Sequence, residues 1–424
     1  MPGTRVPGTL LTSRQKMDLR DDPKEAAFRL EARSWLEENL TGRFAEAAGA
    51  GGPGREHEDI EVRREWEMHL GRAGWTCVGW PQEWGGRGAS LSEQVIWNEE
   101  YVRANAPARI GVLGEGLLGP ALIAYGTEQQ KRRFLPRIRL GEELWCQGFS
   151  EPSAGSDLAS VQTRAELRGG EWVVTGQKVW TSLAHIADWC FVLCRTDPAA
   201  PKHEGLSYIL VPMDQPGVEV RPIRQMTGTS EFNEVFFDGA RSSADMVVGE
   251  VNGGWKVALA TLSFERGAAM LGHLLSFERE LEEVIEIATK RGLTKDAVTR
   301  ERIVRAWTGL KLMRWNALRS MPGLAEGGDS GIVTPQASIS KLFWGGWHRS
   351  LGELATDVLG MDATVATAYP YELSALQRAF LFGRAETIYG GSDEIQRNVI
   401  GERVLGLPKE PGRGGAQAGS GSAR

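Results

Sequence analysis

Two short stretches carry the residue types that chemistry needs. The first is GFSEPSAGSDLAS, 148–160, where Ser150, Gly155 and Ser156 crowd one turn-rich loop. Backbone N–H groups and hydroxyls in such a loop suit an anion or the edge of a heterocycle, although an ordinary Ser/Gly turn has the same composition. The second is GQKVWTSLAHIADW, 176–189, where Trp180 stands beside Thr181 and Ser182. A flat apolar face next to hydroxyl donors suits a planar cofactor with polar edges; the plainer alternative is a core tryptophan. A third stretch, ETIYGGSDEIQRN at 386–398, reads as a helix ending in a Gly-Gly turn and then a new helix start. Ser392 is its N-cap, with Glu394 and Gln396 in the first turn. Metal chemistry finds no such support. The six histidines are dispersed without H-x-x-x-H or H-E-x-x-H spacing, and the four cysteines form no C-x-x-C pair.

The elements around these stretches change character twice. From about residue 20 to 140 the apolar residues recur at helical spacing, as in DPKEAAFRLEARSWLEENL, EQVIWNEEYVRA and TEQQKRRFLPRI. AGAGGPG, 48–54, is a break, and GWPQEWGGRG, 79–88, is too aromatic to be a mere linker. Near residue 145 short runs rich in Val, Phe, Trp and Tyr take over, among them EWVVTGQKVW, DWCFVLCRTD, GLSYILVPM and FNEVFFDGA. From GGWKVALATLSFERG onward the helical period returns. The expected fold is therefore α+β: an N-terminal helical domain over 18–142, a middle antiparallel β domain over 143–250 and a C-terminal helical bundle over 251–408. A disordered leader, 1–17, and a Gly/Ser/Ala-rich tail, 409–424, flank them. A parallel α/β sheet would alternate strands and helices, and no G-x-G-x-x-G links a strand to a helix, which disfavours a nicotinamide site.

Composition sets outer bounds. The 424 residues provide for two or three domains, and 49 basic against 55 acidic side chains leave a net charge of −6 without a long run of one sign. That argues against nucleic acid as the main partner, for which a basic face is expected. No run of about 18 apolar residues predicts a membrane span. Sparse cysteines fit a reducing, cytoplasmic setting; Cys190 and Cys194 share one face of a strand and read as packing residues.

The two loop motifs, their spacing and the α–β–α order resemble the acyl-CoA dehydrogenase family over roughly residues 20–408. The resemblance extends to YGTEQQKRRFLPRIRLGEELWCQGFSEP, TGTSEFNEVFFDGARSSADMVVGE and EIQRNVIGERVLGLP. It implies FAD, an acyl-CoA thioester substrate, and an electron-transfer flavoprotein or similar acceptor. Carried over by position, Gln147, Phe149, Ser150 and Ser156 would line the flavin loop, with Ser156 also toward substrate. Trp180, Thr181 and Ser182 would face the isoalloxazine ring, and Ser392 and Glu394 would meet the cofactor from the C-terminal side. Phe149 stands where a smaller aliphatic residue is usual.

The implied reaction is α,β-dehydrogenation, which needs a water-shielded carboxylate to take a weakly acidic α-proton and donors on the thioester oxygen. In much of the family the carboxylate follows the tyrosine, where this chain has Gly390. A minority carries it on the first bundle helix, and there the matching residue is Glu265 in LSFERG. LSFER recurs 13 residues later; on one continuous helix the repeats would differ by about 220° in phase, so Glu265 and Glu278 would face opposite sides. Gly267, Ala268 and Ala269 leave a small surface after Glu265, whereas Glu278 lies in an acidic run that reads as solvated. Arg266 would pair the CoA or orient the acyl chain. Glu386, one turn before Gly390, reads as a surface residue. Gly390 keeps its backbone N–H, which the resemblance assigns to the thioester oxygen, and its missing side chain leaves room for a carboxylate from elsewhere.

Two cofactor-binding pieces of homotetrameric members are not visible. ATKRGLTKDAVTRERIVRAWTGL lacks a Phe-Gly, and ATDVLGMDATVA keeps only Gly360 of a Gly-rich turn. Both departures fall on the adenine and pyrophosphate end. The chain is thus either a complete homo-oligomeric dehydrogenase or one subunit of a heteromer with a related chain, of the kind that acts on steroid or branched side chains. A flavin oxidase or monooxygenase of the same fold, and a structural subunit completing a partner's site, remain open beside it.

Overall fold

The computed structural model describes residues 21–264, 269–326, 335–368 and 371–408. The expected leader, the tail, Glu265 and Arg266 lie outside these residues.

Among the described residues six α-helices come first: α1 (Pro23–Asn39), α2 (Arg43–Glu46), α3 (Ile60–Ala73), α4 (Leu91–Arg103), α5 (Gly119–Tyr125) and α6 (Glu128–Arg139). Their starts are written locally. Asp22 with Glu25, Ser90 with Glu93 and Thr127 with Gln130 each form a reciprocal capping box that satisfies two otherwise orphaned N–H groups. The core between α1, α3 and α4 is aromatic; Trp75 and Trp97 stack at 4.5 Å, and Trp66 is fully enclosed. The Gly/Pro/Trp loop has a packing role: Trp80 is buried and its Nε1 donates to the Glu115 carbonyl at 3.1 Å.

Seven strands follow: β1 (Trp145–Gly148), β2 (Arg164–Arg168), β3 (Glu171–Ser182), β4 (Trp189–Arg195), β5 (Leu206–Pro212), β6 (Val218–Ile223) and β7 (Phe232–Ser243). The order is β1-β4-β2-β3-β7-β6, with β5 on β4. Pairing is antiparallel except for β1 with β4 and a single Arg164–Arg195 register pair. One face encloses Cys146, Val174, Cys190, Cys194 and Val235; the other packs Phe191, Leu193 and Tyr208 against Leu118, Phe134 and Val257 from the helices. All four cysteines are free and buried, as packing residues are.

The chain then returns to helices: α7 (Gly254–Phe264), α8 (Ala269–Lys290), α9 (Ala297–Glu326), α10 (Pro335–Leu359), α11 (Ala375–Phe382) and α12 (Asp393–Val399). Leu281, Val284, Leu310, Leu351 and Val358 form the interior of α8, α9 and α10. The α+β expectation is met. The two LSFER repeats fall at the end of α7 and within α8, with 265–268 outside the described residues. Glu278 differs from its solvated reading: it is half-buried and accepts from Lys311 Nζ of α9 at 2.9 Å.

Candidate active site

The loop after β1 is pinned from below by one buried cation. Lys178 of β3 is fully enclosed, and its Nζ donates to the carbonyls of Phe149 at 3.0 Å and Leu193 at 2.8 Å and to Glu151 Oε1 at 2.8 Å. The Glu151 carboxylate also accepts from the backbone N–H groups of Gln162 at 2.7 Å and Thr163 at 2.8 Å. Burial works against this charge, but Lys178 and the N–H donors prevail and hold the carboxyl below its ordinary range. Above the pair, Val179 N donates to the Ser150 carbonyl at 2.9 Å, and Glu151 and Ala154 exchange backbone bonds. Gly155 and Ser156 remain at the exposed crest, with open space around Gly155.

Trp180 sits where β3 breaks register with β7, between Lys178 and Thr181. Its φ is +59°, and the side chain is 57% exposed with its ring edge toward Phe232 at 6.1 Å. A bulky residue in left-handed backbone, its ring turned outward, is strained and unburied at once, and such residues gather at ligand sites. Thr181 is buried next to it and its carbonyl accepts from Asn233 Nδ2 at 3.0 Å, while Ser182 is half-buried.

The polar atoms here test whether a flavin fits. Gln147 Nε2 and Thr181 Oγ1 are both buried without a hydrogen-bond partner among the described residues. A buried donor left unpaired is costly, so such atoms mark where a ligand's polar edge belongs. With the flat, outward Trp180, this donor set fits a ring system with heteroatoms on one edge. Phe149 departs from the expectation: its ring is buried against Phe191 and Tyr208, so the residue offers the loop only its backbone.

The C-terminal stretch forms a second cluster. Gly390 and Gly391 take φ of +63° and +88°. Ser392 caps α12 by accepting from Ile395 N at 3.4 Å, and buried Gln396 returns its Nε2 to the Gly390 carbonyl at 3.0 Å. Among the described residues, a Cβ at Gly390 would meet nothing nearer than Lys341 Cε at 4.0 Å. Glu394 is exposed, 3.7 Å from Arg397. No hydrogen bond or ion pair among the described residues joins α12 to the 148–156 loop or to Trp180.

Glu386 corrects the sequence reading. It is buried, not on the surface, because His348 Nδ1 lies 2.7 Å from its Oε2. Sequence reasoning also passed over Lys178 and Glu151 as a pair. A signal for Lys178 existed: it shares the period-two inward phase of Trp172 and Val174, where a cation needs a buried partner.

Comparisons with known proteins agree on one family. Models described as the N-terminal, middle and C-terminal domains of acyl-CoA dehydrogenase match residues 22–142, 146–240 and 252–405. The chain is 58% identical to acyl-CoA dehydrogenase IpdE1 of Mycobacterium tuberculosis, covering 90% of this chain and 98% of that one. Among solved structures, the Tcur3481-Tcur3483 steroid ACAD superposes with a TM-score of 0.78 at 32% identity, covering 93% of this chain and 100% of that one. The ChsE4-ChsE5 complex from Mycobacterium tuberculosis follows at 0.76 and 32%, with the same coverage.

Proposed function

The chain belongs to the acyl-CoA dehydrogenase family, and within it we propose that it performs FAD-dependent α,β-dehydrogenation of an acyl-CoA thioester with Glu265 as the base. The observation that carries this reading is the loop 148–156, held by Lys178 directly beside the outward Trp180 and the unpartnered Gln147 Nε2 and Thr181 Oγ1. FAD bound there would supply the acceptor for the β-hydride.

The chain's own groups do the rest. Trp180 covers a flat face, and Gln147 and Thr181 donate to the ring's polar edge, with the hydroxyls of Ser150, Ser156 and Ser182 around it. Ser392 and Glu394 approach from the C-terminal side. Glu265 takes the α-proton. Gly390 donates its backbone N–H to the thioester oxygen, where negative charge develops as that proton leaves. Among the described residues no atom comes nearer than 4.0 Å to where a Gly390 Cβ would stand, which supports a carboxylate that arrives from another element. Arg266 engages the CoA or orients the acyl chain. An electron-transfer flavoprotein or an equivalent acceptor would be the partner that takes the electrons away.

We further infer that the subunit works in a heteromer with a related chain, on a bulky acyl group of the steroid type. Helix α9 supports a partner: Val304, Trp307, Leu312 and Trp315 are all about half exposed on it. Apolar surface of that kind marks an interaction face. The missing Phe-Gly and Gly-rich pieces support a partner that completes the adenine end of the cofactor site. The experiment is flavin content after purification, alone and with the product of a related neighbouring gene. Low flavin alone and full flavin with the partner support the reading. One FAD per chain and full activity for the isolated chain overturn the heteromer.

A further inference from the structure

Three elements converge on His348. It projects from α10 into the bundle interior, where the Phe277 ring lies 4.3 Å from its own. Its Nδ1 is 2.7 Å from Glu386 Oε2 and its Nε2 is 2.5 Å from Glu280 Oε2 of α8. A neutral imidazole has one N–H and would leave the second carboxylate facing a lone pair. Where both carboxylates are ionised, both ring nitrogens must donate, and the ring that satisfies the pair is a cation.

Glu386 is the lever. It lies in the short turn Ala385–Thr387, whose Ala385 carbonyl accepts from Ile388 N at 2.9 Å and Tyr389 N at 3.0 Å. Gly390 follows at once. The backbone of α10 lies directly against this turn: a Cβ on Gly345 would come within 3.1 Å of the Glu386 carbonyl oxygen. From the far side Gln396 Nε2 holds the Gly390 carbonyl at 3.0 Å. Gly390 is therefore flanked by a held turn on its N-terminal side and by the Gln396 bond to its carbonyl on its C-terminal side.

We propose that His348 is a positioning residue, clamped between Glu280 and Glu386, that sets the direction of the Gly390 backbone N–H. The proposal rests on the reading of that N–H as the donor to the thioester oxygen. It goes beyond that reading by placing control of the donor in a buried histidine held between two carboxylates. Burial opposes the imidazolium, yet the two carboxylates outweigh it and lift His348 to about 10. Other charged groups sit on or beside these elements: Lys341 of α10 lies nearest Gly390, with its Nζ 3.7 Å from Asp393 Oδ1. Glu283, one turn along α8, is pushed up by burial and by Glu280. Arg384 is committed to Glu353 at 2.9 Å and to the Arg349 carbonyl at 3.2 Å.

The test uses the flavin-loaded enzyme with its partner, comparing wild type, H348Q and E280Q/E386Q. The double variant keeps the histidine and removes both charges, so it carries the test if H348Q does not fold. Hydrogen exchange is read first. Peptides covering 385–392 should exchange at least about tenfold faster in either variant, with β-domain peptides unchanged. Turnover should fall about tenfold with KM within about twofold, as expected when a transition-state donor is misaligned. In E280Q/E386Q the alkaline limb of the kcat profile should move down toward the ordinary imidazole value of about 6.5. Unchanged exchange at 385–392 overturns the proposal whatever Gly390 does. The Gly390 reading fails separately if a bound, non-reducible acyl-CoA shows no lowering of its thioester carbonyl stretch in wild type.

Discussion

Lys178 Nζ and Glu151 Oε1 stand 2.8 Å apart, with the lysine side chain fully buried and the glutamate 5% exposed. This ion pair is the joint between the sheet and the loop 148–156. Removing one partner leaves an uncompensated buried charge, which costs about 3–5 kcal/mol. We expect K178M and E151Q to lower thermal stability by that order and to shed flavin. K178M/E151L, with neither charge, should be more stable than either single variant. Calorimetry of the three decides; equal or additive losses would contradict a coupled pair.

The same pair sets an acid limit. Glu151 is held below its unfolded range, so its contribution is present above about pH 4.5 and is lost as pH falls through the depressed folded value. Stability of wild type should therefore drop on acidification more steeply than that of K178M/E151L. Parallel curves would remove Glu151 from the account.

Trp180 and Trp172 lie on one strand in opposite situations. Trp172 is 5% exposed and Trp180 is 57% exposed. W172A should cost about 3–5 kcal/mol, as a cavity in the sheet core does. W180A should change the stability of the flavin-free protein by about 1 kcal/mol or less, because the exposed ring contributes little buried area and Ala keeps the same Cβ at this left-handed position. Flavin retention should nevertheless collapse in W180A. Denaturant titration with flavin absorbance reads both; full retention of flavin would mean that Trp180 faces something else.

Glu56 and Glu231 meet between the segment before α3 and the start of β7. Burial first, and then the neighbouring Glu231, push Glu56 up to about 8. A folded carboxyl that holds its proton longer than the unfolded one stabilises at low pH, and this contribution drains away as pH rises from about 4.5 to about 8. E56Q should melt higher than wild type at pH 8 and nearly with it at pH 5. An equal difference at both values would show that Glu56 is not titrating there.

Much of this was readable in one dimension. Capping boxes such as Ser90 with Glu93 are local, and helical and strand periods depend on near neighbours, so α4, α6 and the β runs could be placed from sequence. The α+β order followed. What failed depends on distant partners. Glu386 reads as a surface residue until His348, 38 positions earlier, is seen beside it. Glu278 reads as solvated until Lys311 of the next helix reaches it. Phe149 sits within the loop motif, yet only the tertiary core shows its ring turned toward Phe191 and Tyr208. Glu265 and Arg266 lie outside the described residues, and their roles stand on sequence position and family resemblance.

Rapid mixing of the flavin-loaded enzyme with its acyl-CoA substrate tests the proposal that Glu265 takes the α-proton. Wild type should bleach its flavin absorbance on mixing. E265Q should keep its flavin and bind the thioester, yet bleach slower by a factor of about a thousand or more, since a glutamine amide cannot take the α-proton. Bleaching of E265Q at the wild-type rate would contradict the account.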